Sequence, residues 1–282
     1  MFFPHYVPTE QRRNNHREFW QRHSTFERFS KGSNAATNPT AEYMDNVVNK
    51  FFLLHCSSQD RVLDIGCGTG IVSLALAQYG CTVTACDVSE RMLEALRART
   101  GSLPIETHQA DAYHLPFEDG EFDRVVARMF LYHFPDWPEV LKEMARCCRP
   151  GGRVLVHVTN TENVEFAREY SNFCFPLGDL PNPSRPWQRP TNYGIFASRS
   201  ISRAAKRANL RLNERRPCMF FHNNPLISFS LGPDATEEYG QALEEKLAMP
   251  NVLEFVQWFE QTAVQQMPFW ISYYNLLALE KL

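Results

Sequence analysis

The sequence predicts an α/β protein whose core is a parallel β-sheet with helices on both faces. Between residues 60 and 160, short strands that are apolar throughout alternate with helical segments of about ten residues, a pattern typical of buried parallel strands. A glycine-rich turn follows the first strand, as expected where a strand leads directly into a helix. With 282 residues and 44% hydrophobic content, the chain can bury a core, and these values exclude a mainly disordered protein.

The core elements follow one another in a regular order along the chain. Apolar residues recur at helical spacing on one face of each helix, as Met92, Leu93 and Leu96 do. We predict strands over 62–65, 82–86, 105–110, 123–127 and 153–158, and helices over 71–79, 90–99 and 139–148.

The flanking segments are less regular. Aromatic residues at helical spacing near Trp20, and a pattern over 41–54, predict helices before the core. After residue 160, prolines between 175 and 190 indicate a long loop, which in a compact domain is usually a functional cover. Beyond that loop we predict helices over 198–209, 235–248 and 252–265, a sixth strand within 211–221 and a last strand over 269–279. We therefore expect a single domain with an N-terminal helical lid (1–50), a core (51–160), a substrate cover containing the sixth strand (161–268) and the last strand (269–282).

Composition and charge exclude several classes of function. The 29 basic and 32 acidic residues give a net charge of −3, which makes nucleic acid a poor first choice of partner. None of the eight cysteines forms a CxxC pair, so we expect reduced thiols in a cytoplasmic protein and no metal centre. The first residues lack the basic-then-apolar order of a signal peptide, and no run of about 18 apolar residues predicts a membrane span.

The glycine-rich turn has the features of a nucleotide-like binding loop. Gly66, Gly68 and Gly70 allow a sharp turn and a close approach of the backbone to a ligand, and the following helix points its N-terminus at the site. Asp87 closes the second strand about twenty residues after Gly66, the spacing of an acid that accepts ribose hydroxyls.

The dinucleotide fingerprint is not met, because Ile71 stands where its third glycine belongs. Asp64 lies two residues before Gly66, and a carboxylate there suits a ligand with positive charge near the loop. S-adenosylmethionine carries such charge in its ammonium and sulfonium groups.

Four segments of the chain resemble the class I S-adenosylmethionine-dependent methyltransferases, and in particular the subgroup of quinone-biosynthesis and small-molecule methyltransferases. These segments are VLDIGCGTG (62–70), CDVSERML (86–93), ADAYHLPFEDGEFDRVVARMFLYHFPD (110–136) and CCRPGGRVLV (147–156). The resemblance covers roughly residues 60–160 and the last strand, whereas residues 161–268 resemble no subgroup. It implies a doubly wound, Rossmann-like sheet of seven strands in which the last strand is antiparallel.

The resemblance also implies which residues bind the cofactor, S-adenosylmethionine. The methionine end would lie on Asp64 and the loop, the ribose on Asp87, and the adenine between Val88 and Met92, with its amino group on Asp111. The implied set is Asp64, Gly66, Cys67, Gly68, Gly70, Asp87, Val88, Met92, Asp111, Ala112, Arg128 and Met129, together with Phe26, which stands where the family places a tyrosine over the cofactor.

Two residues of the implied site have open interpretations. The family usually has a small or polar residue at position 128, so Arg128 reaches either the cofactor carboxylate or an anionic substrate. His133 titrates in the range of a general base for transfer to oxygen or nitrogen, but a histidine here is also compatible with a structural role. His157, at the end of the fifth strand, is a comparable candidate.

We interpret the chain as a methyltransferase that acts on a small-molecule acceptor by direct in-line displacement. A protein that binds S-adenosylmethionine without catalysis is the main alternative, and an NAD-dependent oxidoreductase is disfavoured by the failed fingerprint. Methylation of nucleic acid or protein is disfavoured by the acidic charge and by Ala127-Arg128-Met129-Phe130, which replaces an Asn-Pro-Pro-Tyr motif. The sequence specifies neither the acceptor atom nor an oligomeric state.

Overall fold

A computed structural model describes residues 9–22, 26, 39–134, 136–160, 198–221, 233–268, 272 and 274–282. Within these residues, the strands are β1 (Arg61–Ile65), β2 (Thr82–Asp87), β3 (Ile105–Gln109), β4 (Phe122–Arg128), β5 (Cys148–Thr159), β6 (Leu210–Cys218) and β7 (Tyr274–Lys281). The helices are α1 (Thr9–Gln21), α2 (Pro39–Leu54), α3 (Ile71–Tyr79), α4 (Glu90–Thr100), α5 (Trp137–Cys147), α6 (Ser198–Arg207), α7 (Pro233–Leu247) and α8 (Pro250–Thr262).

The strands form one sheet of seven in the order β3-β2-β1-β4-β5-β7-β6. β7 is antiparallel to β5 and β6, and the other pairs are parallel. The sheet therefore confirms the predicted doubly wound, mostly parallel architecture. Because β1 to β5 are parallel, their carboxyl ends lie along one edge of the sheet, where ligands bind in folds of this kind.

Two hydrophobic layers cover the two faces of the sheet. One layer packs side chains of α5 and α6, such as Leu141 and Ile201, against the sheet. The other packs α2, α3 and α4, with Phe51 and Leu76, against the opposite face. Strand side chains alternate between these layers, so neighbouring residues at the centre of an inner strand, such as Val125 and Val126 of β4, are both apolar and buried.

Most predicted boundaries lie within a few residues of the observed ones, and two strands differ in an instructive way. β5 begins at Cys148, five residues earlier than predicted, because Cys148 already pairs with Phe122 of β4 before an irregularity in the register. In the described residues β7 begins at Tyr274 rather than at 269, while positions 269–271 and 273 lie outside the described residues. The proline-rich stretch at 175–190 also lies outside them.

Three general properties of the described residues bear on function. Their seven cysteines are all buried, and none forms a disulfide. No group of three or more His, Cys, Asp or Glu among them is arranged to hold a metal ion. None of their helices has both the length and the apolar character needed to cross a membrane.

Candidate active site

A cavity of about 410 Å³ lies at the carboxyl edge of the sheet, above the ends of β1, β2 and β4. Its size falls in the range of pockets for small ligands. The glycine loop forms its floor, and residues from three helices reach its mouth. These residues are Arg13, Arg17 and Trp20 of α1, Ala41 and Met44 of α2, and Glu244 of α7.

The glycines of the loop have different structural roles. Gly66 has a φ of 66°, and a Cβ there would lie 2.1 Å from the ring of Phe130, so no larger residue fits without displacing that ring. Gly68 has a φ of 55° and open space where a Cβ would be, so a ligand can approach its backbone. Gly70 is not among the residues that line the cavity, and a Cβ there would lie 2.2 Å from the Leu96 side chain. The absence of a side chain at Gly70 thus lets α3 pack closely against α4, and its contact with a ligand stays a prediction.

Asp87, at the end of β2, fastens the loop to the second strand. Its carboxylate accepts hydrogen bonds from the backbone N–H groups of Gly68 (3.0 Å) and Ser89 (2.9 Å). Burial raises the pKa of Asp87 above its ordinary value, although hydrogen bonds from the backbone of Ser89, Gly68 and Val88 oppose that shift. A carboxylate offers about four lone-pair sites, so Asp87 can still accept a hydrogen bond from a ribose.

Asp64, at the end of β1, lies under the loop with only 1% of its surface exposed. It accepts a hydrogen bond from the Ser73 hydroxyl at 2.6 Å, which joins β1 to α3. Burial raises the pKa of Asp64 to about 6, and the charge of Asp87 adds to the increase while the bond from Ser73 opposes it.

Helix α1 contacts the opposite end of the cavity through two ion pairs. Asp111 accepts a hydrogen bond from the backbone of Tyr113 (3.1 Å) and pairs with Arg17 of α1. Arg13 pairs with Asp136, and its guanidinium lies 3.9 Å from the centre of the Tyr113 ring. Val88, Met92 and Ala112 line the same end.

Arg128 extends from the end of β4 into the lining and pairs with Asp45 of α2, with 2.5 Å between Nη2 and Oδ1. Only 17% of the Arg128 side chain and 11% of the Asp45 side chain are exposed. The next residue, Met129, has a φ of 51°, an uncommon conformation for a residue with a side chain.

The two candidate histidines occupy different places. His133 lies in a short 3₁₀ turn, lines the cavity and packs between the rings of Trp20 (4.7 Å) and Tyr132 (4.2 Å). His157 is fully buried and lies outside the lining, with its ring 4.9 Å from that of Tyr274. Burial lowers the pKa of His157 well below its ordinary value, and the nearby Arg128 lowers it further, so this residue is a neutral core histidine.

The structure brings nearly all the residues predicted from sequence into one lining. The exceptions are Gly70, described above, and Phe26, which lies beyond the end of α1 and is absent from the lining, where α1 contributes Trp20 instead. Sequence reasoning missed Met44 and Glu244 in the lining, and Asp45, which lies outside it and pairs with Arg128; their positions depend on how α2 and α7 pack on the sheet. The predicted residues that do line the cavity are Asp64, Gly66, Cys67, Gly68, Asp87, Val88, Met92, Asp111, Ala112, Arg128, Met129 and His133.

Comparisons with known proteins match this geometry. Residues 63–156 match a family model described as a methyltransferase domain. Demethylmenaquinone methyltransferase from Staphylococcus aureus is 32% identical over 53% of this chain and 67% of its own length. Methyltransferase GfsG from Streptomyces halstedii is 38% identical over 43% of this chain, and the match spans 46% of that relative's length.

A solved structure extends the likeness to the fold as a whole. Phosphoethanolamine N-methyltransferase 2 from Haemonchus contortus, in complex with S-adenosylmethionine, superposes with a TM-score of 0.59 at 21% identity. The match covers 99% of this chain and 61% of that protein. The fold, the order of the motifs and the extent of the demethylmenaquinone methyltransferase match together place the chain in the class I S-adenosylmethionine-dependent methyltransferase family, and S-adenosylmethionine is the family's cofactor.

Proposed function

We propose that this chain transfers the methyl group of S-adenosylmethionine to a small-molecule acceptor by direct in-line displacement. The observation that carries the proposal is the composition of the cavity. Its lining combines the glycine loop, Asp87 and Asp111 with Met129, Tyr132 and His133. A single space therefore has groups suited to an adenosyl cofactor and room for a second molecule beside them.

The residues at the cofactor end fit the group by their chemistry. The open space above Gly68 admits a ligand against the backbone, and the Asp87 oxygens retain capacity for a ribose diol. Val88 and Met92 offer apolar walls to a purine, with Asp111 as acceptor for its amino group. When bound, the sulfonium of the cofactor makes its methyl carbon electrophilic.

Aromatic and methionine side chains also line the cavity. They are Trp20, Met44, Phe130, Tyr132 and Phe134. Such walls exclude water and favour a planar or partly apolar acceptor. One relative supports this class of acceptor by name, a methyltransferase of demethylmenaquinone.

The contribution of the protein is mainly to hold the two reactants in line. Proximity and orientation supply about 7–11 kcal/mol in well-aligned reactions. Where the acceptor must lose a proton, His133, which lines the cavity beside Tyr132, is the base that accepts it. A positioned base of this kind adds about 10²–10⁴-fold to the rate.

Substitution of Asp87 tests the proposal directly. We expect Asp87→Ala to abolish calorimetric binding of S-adenosylmethionine, because the ribose loses its acceptor and the loop loses the bond to Gly68. Asp119→Ala is the matched control, since that side chain is 82% exposed and lies outside this cavity. Unchanged affinity in a folded Asp87→Ala protein would overturn the site.

A second measurement separates an enzyme from a non-catalytic binding protein. The wild type is incubated with methyl-labelled S-adenosylmethionine and hydroxyaromatic acceptors, including reduced demethylmenaquinone, and the label is followed into the organic phase. An enzyme of the proposed class transfers label to at least one acceptor, and His133→Gln reduces that rate where the acceptor is a hydroxyl. Cofactor binding without transfer to any of these acceptors would contradict the proposed acceptor class.

A further inference from the structure

Glu260 of α8 has a buried carboxylate that takes no part in the cavity wall. Only 1% of its surface is exposed, and no described residue of α8 lines the cavity. The carboxylate accepts hydrogen bonds from the Tyr43 hydroxyl and from the backbone N–H groups of Met219 (3.1 Å) and Phe220 (2.5 Å). It therefore joins α8 to α2 and to the chain that follows β6.

The backbone after β6 is shaped to receive this carboxylate. Met219 is fully buried and has a φ of 64°, a conformation that costs free energy for a residue with a side chain. It lets two successive N–H groups converge on one anion, as they do in backbone nests. All three donors are uncharged, and an ionised carboxylate can accept from each of them, whereas a protonated one loses acceptor capacity.

Tyr43 belongs to the part of α2 that covers the cavity. Ala41 and Met44 line the cavity, and Asp45 pairs with Arg128 of β4. Each residue of a helix is rotated by about 100° from the one before it, so Tyr43 and Asp45 point to the two sides of Met44. These two contacts fix the rotation of α2 about its axis, and with it the place of Met44 in the wall.

We infer that Glu260 is a positioning residue for the acceptor, which acts through Tyr43 to keep Met44 in the cavity wall. Arg128 anchors α2 to the sheet through Asp45. Glu260 anchors α2 to α8 and to the chain after β6. The inference rests on the proposed function for the reaction that it serves, and it gives a role to part of 161–268, which no family motif explains.

Protonation of Glu260 weakens this anchor reversibly. Burial raises the pKa of Glu260 to about 7, and the three hydrogen bonds oppose the shift because they are stronger to the ionised form. Tyr43 of α2 and Cys218 of β6 also face the cluster, and burial raises the pKa of both well above the ordinary value. Arg216 acts on Cys218 and makes no bond to Glu260. Glu260 is therefore the group of this cluster that changes its charge near pH 7.

Methyl NMR of the free protein tests the anchor without an acceptor. The methionine methyl groups are isotope-labelled, and the Met44 signal is assigned by its loss in Met44→Leu. We expect this signal to shift with a midpoint near pH 7 in the wild type and to stay constant in Glu260→Gln. Glu254→Gln, which changes an exposed glutamate of the same helix, should keep the shift, and so should His133→Gln, which removes a titratable residue of the cavity wall. A Met44 signal that titrates in Glu260→Gln as it does in the wild type would overturn the inference.

Tyr43→Phe distinguishes positioning through Tyr43 from general support of the fold. It keeps the ring and removes the hydroxyl that bonds to Glu260. The Met44 signal should then no longer follow pH, while the Met219 signal still titrates, with its midpoint moved upward because an opposing hydrogen bond is lost. This variant also decides the question if Glu260→Gln fails to fold. A Met44 signal that still titrates in Tyr43→Phe would contradict the role of Tyr43.

Kinetics and calorimetry connect the anchor to the reaction. In Glu260→Gln we expect the KM for reduced demethylmenaquinone to rise about tenfold, the loss typical of one hydrogen bond, with kcat and the affinity for S-adenosylhomocysteine within about twofold of the wild type. Equal weakening of both ligands would show a merely structural residue, and an unchanged KM would show that the acceptor does not depend on the anchor; both overturn the inference. A wild type that binds no S-adenosylhomocysteine would instead overturn the proposed function, and the NMR result on the free protein would still decide the anchor.

Discussion

Aspartates at the two edges of the sheet have pKa values that are shifted in opposite directions. At the amino edge, Asp123 accepts hydrogen bonds from Arg149 Nε (2.6 Å) and the Arg61 backbone (2.9 Å). These bonds outweigh the effect of burial and lower the pKa of Asp123. At the carboxyl edge, burial dominates and raises the pKa of Asp45, Asp64 and Asp87.

The difference separates an edge whose charges stabilise the fold from an edge whose charges lack compensation. Charges at the amino edge have partners and partial access to water, so the folded state suits their ionised form. Charges at the carboxyl edge are held away from water with incomplete compensation, which costs stability in the free protein. A cationic or zwitterionic ligand would supply the missing partners, as expected where binding residues are pre-organised.

The largest expected effect comes from Gly66 at the carboxyl edge. Gly66→Ala forces a Cβ into the ring of Phe130 at a left-handed φ, so we expect a loss of about 2–5 kcal/mol in the free energy of unfolding. We also expect no measurable binding of S-adenosylmethionine. Denaturant unfolding and calorimetry measure the two effects.

Gly151 provides the amino-edge counterpart. Its φ is 73°, but a Cβ there would meet only the end of the Arg149 side chain, at 3.7 Å. Gly151→Ala should therefore lower the free energy of unfolding only by the cost of a left-handed backbone, about 1–2 kcal/mol, and leave cofactor affinity unchanged. Equal losses of stability at Gly66 and Gly151 would contradict the steric argument.

The carboxyl edge was largely predictable from sequence because its residues follow strands. A parallel sheet brings the ends of β1, β2 and β4 together, so Asp64 and Asp87 could be assigned to one site from their positions, and the family resemblance added Arg128. The helices that cover the site obey no such rule. In the sequence, nothing distinguishes Asp45 from other polar residues of α2; its contact with Arg128 depends on how α2 packs on the sheet.

Two residues of the predicted site lie outside the cavity lining for the same reason. Gly70 looks like a ligand-contacting glycine by its spacing, but the side chain of Leu96 from α4 occupies the space beside it. Phe26 matches a family position in sequence, yet α1 ends at Gln21 and contributes Trp20 to the cavity instead. Both depend on contacts between elements that are distant in the chain.

The pH dependence of stability sharpens the comparison at Asp64. Its folded pKa of about 6 lies above the ordinary value of 3.8, so folding favours the protonated form. The associated stability is fully present below pH 4 and is lost as the pH rises toward 6. Asp64→Asn removes this titration, so its free energy of unfolding should rise relative to wild type by about 2 kcal/mol between pH 4 and pH 7. Parallel profiles in urea unfolding would argue against a buried, uncompensated carboxylate.

The smallest expected effect is at Asp123 at the amino edge, where the stability changes with pH in the opposite direction to that at Asp64. Its lowered folded pKa means that the ionised form stabilises the protein above pH 4, and that this stability disappears as the pH falls through the folded pKa. Because Asp123 and Arg149 are 25% and 47% exposed, solvent screening limits the pair to less than about 1 kcal/mol. Asp123→Asn should therefore be slightly less stable than wild type at pH 7, and the gap should close toward pH 3 in urea unfolding. If the difference in the free energy of unfolding between wild type and Asp123→Asn grew as the pH fell, folding would raise the pKa of Asp123, as it does at the carboxyl edge.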